Sequence, residues 1–309
     1  MPPERAVFLM GPTAVGKSDL AIRLADSVPK VGLISVDSVM VYRGLNIGTA
    51  KPSPELLARH PHALVDIRSP TEPYSVAAFL ADASDQVSTL RRAGRIPVLV
   101  GGSMLYFKVL RNGLARIPRV SSEIRSKVRR FAEAHGAPAL HRRLCSLDPE
   151  TAARLQPNDT QRLQRATEIC LATGSSLSEW QRQPAMPGLG EPVQSFVLLP
   201  PTRSVLHERI AKRLRRMLDQ GLVDEVRGLA DKYDLVDTLP AARAVGYKQI
   251  LDCIRGRVCW SGMEDRVLAA TRQMAKRQLT WLNSFKGLTR LPEDANDAFS
   301  ILEKTVQAT

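Results

Sequence analysis

No stretch of the chain is apolar for the roughly 18 residues that a membrane-spanning helix needs. The longest apolar runs, near Ala6–Met10 and Pro97–Val100, are only strand-sized. The opening Met1-Pro2-Pro3-Glu4-Arg5 leads straight into an apolar segment and a glycine turn, without a signal-peptide layout. The four cysteines, Cys145, Cys170, Cys253 and Cys259, include no C-x-x-C pair. They are too few and too scattered for a disulfide framework or a zinc site, so they read as thiols in a reducing compartment, and a cytoplasmic protein is expected. There is no internal repeat and no low-complexity tract.

What is present is the balance of a folded protein: 309 residues, 44% hydrophobic and 24% charged, enough for one large domain or two moderate ones. Lys and Arg number 44 against 31 Asp and Glu, a net charge of +13. That excess points to an anionic partner, nucleic acid first, with a basic surface lacking any specific partner as the plain alternative.

Ala6–Met10 reads as a strand, followed by a glycine turn and a helix on which Leu20, Leu24 and Val28 recur at helical spacing. Gly32–Val36 is a second strand and Ala63–Ile67 a third candidate. Ser75 caps a helix through Val76, Phe79, Leu80, Ala83, Val87 and Leu90, and Ile96–Val100 is another strand. Strands alternating with helices argue for a parallel α/β sheet, because parallel neighbours need crossover connections. From about Gly113 to Glu191 the pattern turns helical, interrupted by prolines, and Phe196–Leu199 returns to the sheet. The expected architecture is therefore a P-loop-like parallel α/β core, residues 1–115 and 196–309, with a mostly helical insertion at 116–195. Two helices follow, one through Val205, Ile210, Leu214 and Met217, the other from Asp265 to Ser284. The tail from Pro292 to Thr309 is weakly patterned.

Gly11-Pro12-Thr13-Ala14-Val15-Gly16-Lys17-Ser18 fits G-x-x-x-x-G-K-[ST] at every fixed position, after a strand and opening a helix. Such a loop turns backbone N–H groups and a helix N-terminus onto a phosphate. Lys17 adds a cation, and the Ser18 hydroxyl suits Mg²⁺. The loop itself does not choose between ATP, GTP and any other diphosphate ester. The acidic residue that usually closes a metal-anchoring strand in nucleotide hydrolases is missing, since Val98-Leu99-Val100 runs into Gly101-Gly102-Ser103. A guanine-reading N-K-x-D is missing too.

Asp37 falls at the end of the second strand and Gly101-Gly102-Ser103 at the end of another. In open α/β sheets ligands bind beyond the carboxyl ends of the strands, which places both beside the phosphate loop. Asp37 is thus either a general base or a turn-capping aspartate. Arg209 and Arg213, four apart, share a helix face and are either phosphate ligands or solvated charge. On the last long helix Leu268, Thr271, Ala275, Leu279 and Leu282 form an apolar stripe, with Gln273, Arg277 and Trp281 opposite and Lys276 off the stripe. A tryptophan beside cations suits stacking on bases, unless another element covers it.

Several motifs taken together closely resemble the tRNA dimethylallyltransferase (tRNA isopentenyltransferase) family. They are the phosphate loop, Ile34-Ser35-Val36-Asp37-Ser38, Asn46-Ile47-Gly48-Thr49-Ala50-Lys51-Pro52, Val100–Tyr106, Asn158-Asp159 with Gln161-Arg162-Leu163, Val245-Gly246-Tyr247, and Lys276–Leu282. The resemblance implies transfer of a dimethylallyl group from dimethylallyl diphosphate to N6 of the adenosine at tRNA position 37, just 3′ of the anticodon. The tRNAs concerned read codons beginning with U, diphosphate is released, and Mg²⁺ is the cofactor. In this family the phosphate loop holds an isoprenoid diphosphate, which accounts for the missing acidic residue. A P-loop small-molecule kinase or an RNA-binding NTPase is the alternative.

By the same resemblance Asp37 takes the proton of the adenine amine and Ser103 assists at the reacting centre, where the family is expected to carry Thr. Gly11, Pro12, Thr13, Ala14, Val15, Gly16, Lys17 and Ser18, with Arg209 and Arg213, hold the diphosphate. The tRNA anticodon stem-loop is expected at Asp37, Ser38, Val39, Met40, Ser103 and Arg125, and at Gln161, Arg162, Leu163, Gln164 and Arg165. It is expected also at Arg243, Ala244, Val245, Gly246, Tyr247 and Lys248, and at Lys276, Arg277, Gln278, Leu279, Thr280, Trp281, Leu282 and Asn283. The target base must leave its stack, so a passage through the core is expected, with donor and adenine entering from opposite ends and the helical insertion gripping the stem-loop. A monomer with no membrane partner completes the expectation.

Overall fold

The computed structural model describes residues 5–190 and 193–308. It divides into two compact units, residues 1–111 with 189–309, and residues 112–188.

In the first unit, strand β1 (Ala6–Met10) is buried along its whole length and leads to helix α1 (Lys17–Ser27). Strand β2 (Val31–Val36), helix α2 (Pro54–Arg59) and the two-residue strand β3 (His62–Ala63) follow, then α3 (Val76–Arg92), β4 (Ile96–Gly101) and α4 (Met104–Asn112). After the second unit come β5 (Val193–Val197), a long helix at Arg203–Asp219, helices at Leu222–Lys232, Tyr247–Ile254 and Met263–Leu282, strand β6 (Thr289–Arg290) and a last helix at Ala295–Gln307. The strands form one six-stranded sheet in the order β3-β2-β4-β1-β5-β6, parallel throughout. β1, β2 and β4 are buried at every position, which is why they read as near-continuous apolar runs rather than alternating ones, with Ser35 the one polar side chain among them.

One face of the sheet packs on α1 and the last helix through Leu20, Leu24, Leu33, Val98, Leu302 and Val306. On Phe8 rests Phe107 of α4, ring centroids 5.0 Å apart, and Tyr106 stacks on Phe79 of α3 at 3.8 Å. The Ser75 cap is present, its side chain accepting the Ala78 N–H.

Three expectations are corrected. The third strand stops at Ala63, because Leu64 and Asp66 take left-handed backbone angles (φ 67° and 56°) that turn the chain out of the sheet. The sheet resumes at Val193, earlier than Phe196, in register with β1 from Ala6 onward. The weakly patterned tail is a helix: Ala298, Leu302 and Val306 recur every four residues and are buried, and the Asp294 side chain accepts the Asn296 and Asp297 N–H groups as its cap.

The second unit comprises α5 (Ser122–Leu147), α6 (Pro149–Arg154), α7 (Thr160–Thr173) and α8 (Leu177–Arg182). α5 is broken at Gly136 (φ 79°, ψ 166°), and Pro138 starts its second half, where a missing N–H costs nothing. Val128, Ala132, Leu140, Leu144, Leu163 and Ala166 form its core. Asp148, 1% exposed, accepts bonds from the Thr151 N–H (3.0 Å), the Ser178 N–H (3.0 Å) and the Ser178 hydroxyl (2.9 Å), tying α6 to α8. Burial pushes its pKa up, but the bonds from Thr151 and Ser178 prevail and hold it below the usual carboxylate range.

The helices after β5 are α9 (Arg203–Asp219), α10 (Leu222–Lys232), α11 (Tyr247–Ile254), α12 (Met263–Leu282) and α13 (Ala295–Gln307).

Candidate active site

The loop between β1 and α1 must double back within six residues, and it does so through Ala14 (φ 62°) and Gly16 (φ 100°). Gly16 is the residue before the helix, so no side chain caps α1 and its first amides open onto a cavity of about 1230 Å³. Lys17 is buried, and its Nζ donates to the carbonyl of Pro12 in the same loop at 2.6 Å. Burial, and then the charge of Arg213, pull the Lys17 ammonium down to about 7, while Asp37 pulls the other way. An anion in the cradle relieves the crowding of cations that causes part of this shift.

Asp37 follows β2. Its Oδ1 accepts the N–H groups of Val39 (2.8 Å) and Met40 (3.1 Å), so it does cap a turn. No described residue bonds its other oxygen, and the residue lines the cavity. One carboxylate oxygen is therefore anchored and the other is available. The ends of β2 and β4 are pressed together: a Cβ on Gly101 would lie 2.0 Å from the Val36 carbonyl oxygen. That approach brings Ser103 beside Asp37, and the Ser103 oxygen accepts the Ser38 N–H at 3.1 Å.

Arg213 of α9 is half-buried, and its Nη2 donates to the Thr49 carbonyl at 3.0 Å. Burial lowers its pKa, and Asp37 opposes that shift. Arg209 lines the same cavity, so both arginines of the expected pair reach it. Lys212 and Arg216 line it too, cations that a single i,i+4 pairing had not singled out.

Two further side chains, Glu225 and Gln278, hold the walls of this site. Glu225 of α10 accepts the backbone N–H groups of Asn46 (3.0 Å), Ile47 (2.8 Å) and Gly48 (3.2 Å) and the Tyr247 hydroxyl (2.6 Å). The Asn46–Pro52 motif is thereby fastened as a wall of the cavity, helped by Lys51, whose Nζ donates to Asp66 (2.5 Å) and the Tyr42 carbonyl (2.9 Å). Gln278 of α12 bonds both glycine turns: Oε1 accepts the Thr13 N–H and Nε2 donates to the Gly102 carbonyl, each at 2.9 Å.

Magnesium takes few protein ligands and relies on substrate phosphates and water. The exposed Ser18 hydroxyl, bonded to no other described residue and facing the cavity, fits that donor set. Among the described residues no group of three or more His, Cys, Asp and Glu could cage a metal instead.

The segments expected to meet RNA divide into exposed and buried members. Arg125 on α5 and Gln161, Arg162 and Arg165 on α7 are exposed, whereas Gln164 is half-buried and Leu163 lies wholly in the core of the helical unit. Ser38 is exposed, and Val39 and Met40 are half-buried. Arg243 and Lys248 are exposed, but Ala244, Gly246 and Tyr247 are buried and Val245 half-buried. On α12 Lys276, Arg277 and Thr280 are exposed, Leu282 is buried and Leu279 half-buried, and Asn283 just past its end is exposed. Trp281 is half-buried with the Lys108 ammonium 5.5 Å from its ring centroid, so its face is already partly covered. The side chains of Leu163 and Leu282 are thus packing groups within these segments, while the buried Tyr247 lines the cavity.

No described helix is long and apolar enough to cross a membrane. The IPP transferase family model matches residues 40–285. The chain is 50% identical over 293 residues to a tRNA dimethylallyltransferase of Alkalilimnicola ehrlichii, covering 94% of this chain and 92% of the relative. It is 52% identical over 274 residues to one of Halorhodospira halophila, covering 89% and 88%. Among solved structures, a tRNA isopentenylpyrophosphate transferase from Bacillus halodurans matches with a TM-score of 0.71 at 33% identity, covering 99% of this chain and 96% of that one. A eukaryotic dimethylallyltransferase acting on tRNA shares the fold, with a TM-score of 0.78 at 24% identity over 99% of this chain and 80% of that one. A phosphate loop that shares one cavity with an aspartate and a hydroxyl here accompanies half-identity along nearly the whole chain, and the protein belongs to the IPP transferase family of tRNA dimethylallyltransferases.

Proposed function

We propose that this chain transfers the dimethylallyl group of dimethylallyl diphosphate to N6 of the adenosine at position 37 of tRNAs reading codons that begin with U, releasing diphosphate. The observation that carries this reading is the gathering of Lys17, Arg213, Asp37 and Ser103 around one cavity in a chain with these relatives.

The exocyclic amine of adenine is a weak nucleophile because its lone pair is delocalised into the ring. The allylic carbon compensates, since positive charge developing on it spreads over the allyl system as the C–O bond breaks. The demand on the protein is then to stabilise charge growing on the leaving diphosphate. The amides of the 11–16 loop, the Lys17 ammonium and the Arg213 guanidinium meet it, a preorganised electrostatic contribution of the kind worth about 3–4 kcal/mol per well-placed donor. Magnesium, when bound at Ser18, supplies further neutralisation of phosphate oxygens. The available oxygen of Asp37 accepts a hydrogen bond from the amine and takes its proton as the C–N bond forms. Its other oxygen, held by Val39 and Met40, keeps the carboxylate from turning away. Ser103 sits one hydrogen bond from the same turn and orients the incoming base.

The adenine reaches this point only after leaving its stack in the anticodon loop, which is less costly from a single-stranded loop than from a duplex. The exposed cations on α5 and α7 support a stem-loop grip by phosphate contacts from the helical insertion. Incubation with tRNA and labelled dimethylallyl diphosphate tests the reading. Label is expected in tRNA, on N6 of one adenosine. ATP turnover with no label in RNA would overturn it.

A further inference from the structure

We infer that Gln278 is a positioning residue of the donor cradle and not a contact for RNA. The inference rests on the transferase reading above but concerns a residue to which that reading gave a different task. Gln278 lies in the Lys276–Asn283 stretch, whose exposed members are the candidates for phosphate contact. Its own amide turns the other way, into the sheet edge.

The carboxamide has one acceptor end and one donor end, and both are used. Oε1 accepts the Thr13 N–H and Nε2 donates to the Gly102 carbonyl. Reversing the amide would set N–H against N–H and oxygen against oxygen, so the two partners fix its orientation. The fit is close: a Cβ on Gly102 would lie 2.6 Å from Nε2.

Two consequences follow. Thr13 immediately precedes Ala14, the first left-handed residue of the phosphate loop. Holding the Thr13 N–H therefore sets the direction in which the following amides point, and so the shape of the cradle. The same side chain ties that loop to Gly102-Ser103, fixing the span between the leaving group and the hydroxyl beside Asp37. Loss of the amide should raise the KM for donor and lower kcat, and leave RNA affinity alone.

Two variants test this. Gln278→Met keeps the length and removes both hydrogen bonds. Gln278→Glu keeps the acceptor for Thr13, loses the donor to Gly102 and sets a negative charge beside a phosphate site. Expected for donor KM is a rise of about fivefold to thirtyfold in the Met variant, the scale of two neutral hydrogen bonds, and a larger rise in the Glu variant. The tRNA Kd from filter binding should stay within about twofold of the parent, where a lost side-chain contact to RNA would exceed that range. Binding of inorganic diphosphate, followed by calorimetry with no tRNA present, should weaken in the same order. That measurement does not depend on transfer, so it separates this inference from the function proposed above, which stands or falls on label entering tRNA in the unaltered protein. Equal diphosphate affinity in all three proteins would overturn the inference. So would equal donor KM in the Met and Glu variants, the mark of mere packing, or a tRNA Kd that rises while donor KM does not.

Discussion

Replacing Glu225 by Gln removes one formal charge and almost no volume, yet it should loosen a wall of the active site. The Glu225 carboxylate receives four donors: Asn46 and Ile47 N–H on Oε2, and Gly48 N–H and the Tyr247 hydroxyl on Oε1. A carboxamide can match only one of these ends. Its better orientation keeps the oxygen toward Asn46 and Ile47 and turns the NH₂ toward Gly48 and Tyr247. The tyrosine hydroxyl can rotate and accept, but the Gly48 N–H then faces another donor. One unsatisfied amide costs about 1–3 kcal/mol, and the two surviving bonds lose their charge assistance. Together these amount to about 3 kcal/mol against the closed loop, or roughly a hundredfold in its opening equilibrium. Amide hydrogen exchange resolves this directly: Asn46, Ile47 and Gly48 should exchange roughly a hundredfold faster in the variant, while β1 and β4 keep their protection. Tyr247→Phe, which removes a single donor, should give a smaller acceleration at the same three positions. Because the Thr49 carbonyl holds Arg213, donor KM should rise in parallel. Unchanged exchange at residues 46–48 would refute the claim that this carboxylate fastens the loop.

Asp37→Asn should lower transfer by about 10²–10⁴-fold, the usual range for a lost general base, with tRNA affinity intact; single-turnover transfer and filter binding check the two halves. Arg277→Ala should weaken tRNA binding and reduce the salt slope of log K by about 1, and an unaltered slope would take Arg277 off the contact surface. Asp148→Asn should destabilise residues 112–188 at neutral pH by about 1–3 kcal/mol. The folded pKa of Asp148 lies below its unfolded value, so its contribution is present above about pH 4 and is lost as pH falls through the folded pKa. The penalty of the substitution should therefore shrink in acid, as denaturant titrations at neutral and acid pH would record.

The parts of the site that sequence made legible are those where chemistry and chain order coincide. Gly11–Ser18 is contiguous, and Asp37 and Ser103 each follow an apolar strand whose end must lie on the ligand-binding edge. What stayed illegible depends on pairs far apart in the chain. Glu225 acts on backbone amides about 178 residues away, and since nearly every residue owns an amide, no pattern at 46–48 announces a carboxylate partner. Gln278 reaches Thr13 across 265 residues. By the resemblance it belongs to the RNA-contacting stretch Lys276–Asn283, and no pattern along the helix reveals a partner so distant in the chain. Tyr247, expected among the RNA contacts by the resemblance, lines the cavity with its hydroxyl satisfied by Glu225, and burial next to that carboxylate raises its pKa. Gly48 records the same packing, because a Cβ there would come within 2.5 Å of the tyrosine ring.

Where the chain passes between its two units, the outgoing and returning segments are stitched side by side. Leu189 N–H donates to the Leu110 carbonyl at 2.7 Å, and a few residues on, Leu114 and Met186 exchange a pair of backbone hydrogen bonds at 3.0 and 2.7 Å. An excursion that departs and comes home through one doorway leaves the strand order indifferent to what lies beyond it. Substitutions, lengthenings or wholesale exchange of residues 115–185 can accumulate without re-threading the sheet, so this smaller unit can be revised while the phosphate loop and the strand ends beside it are left as they were.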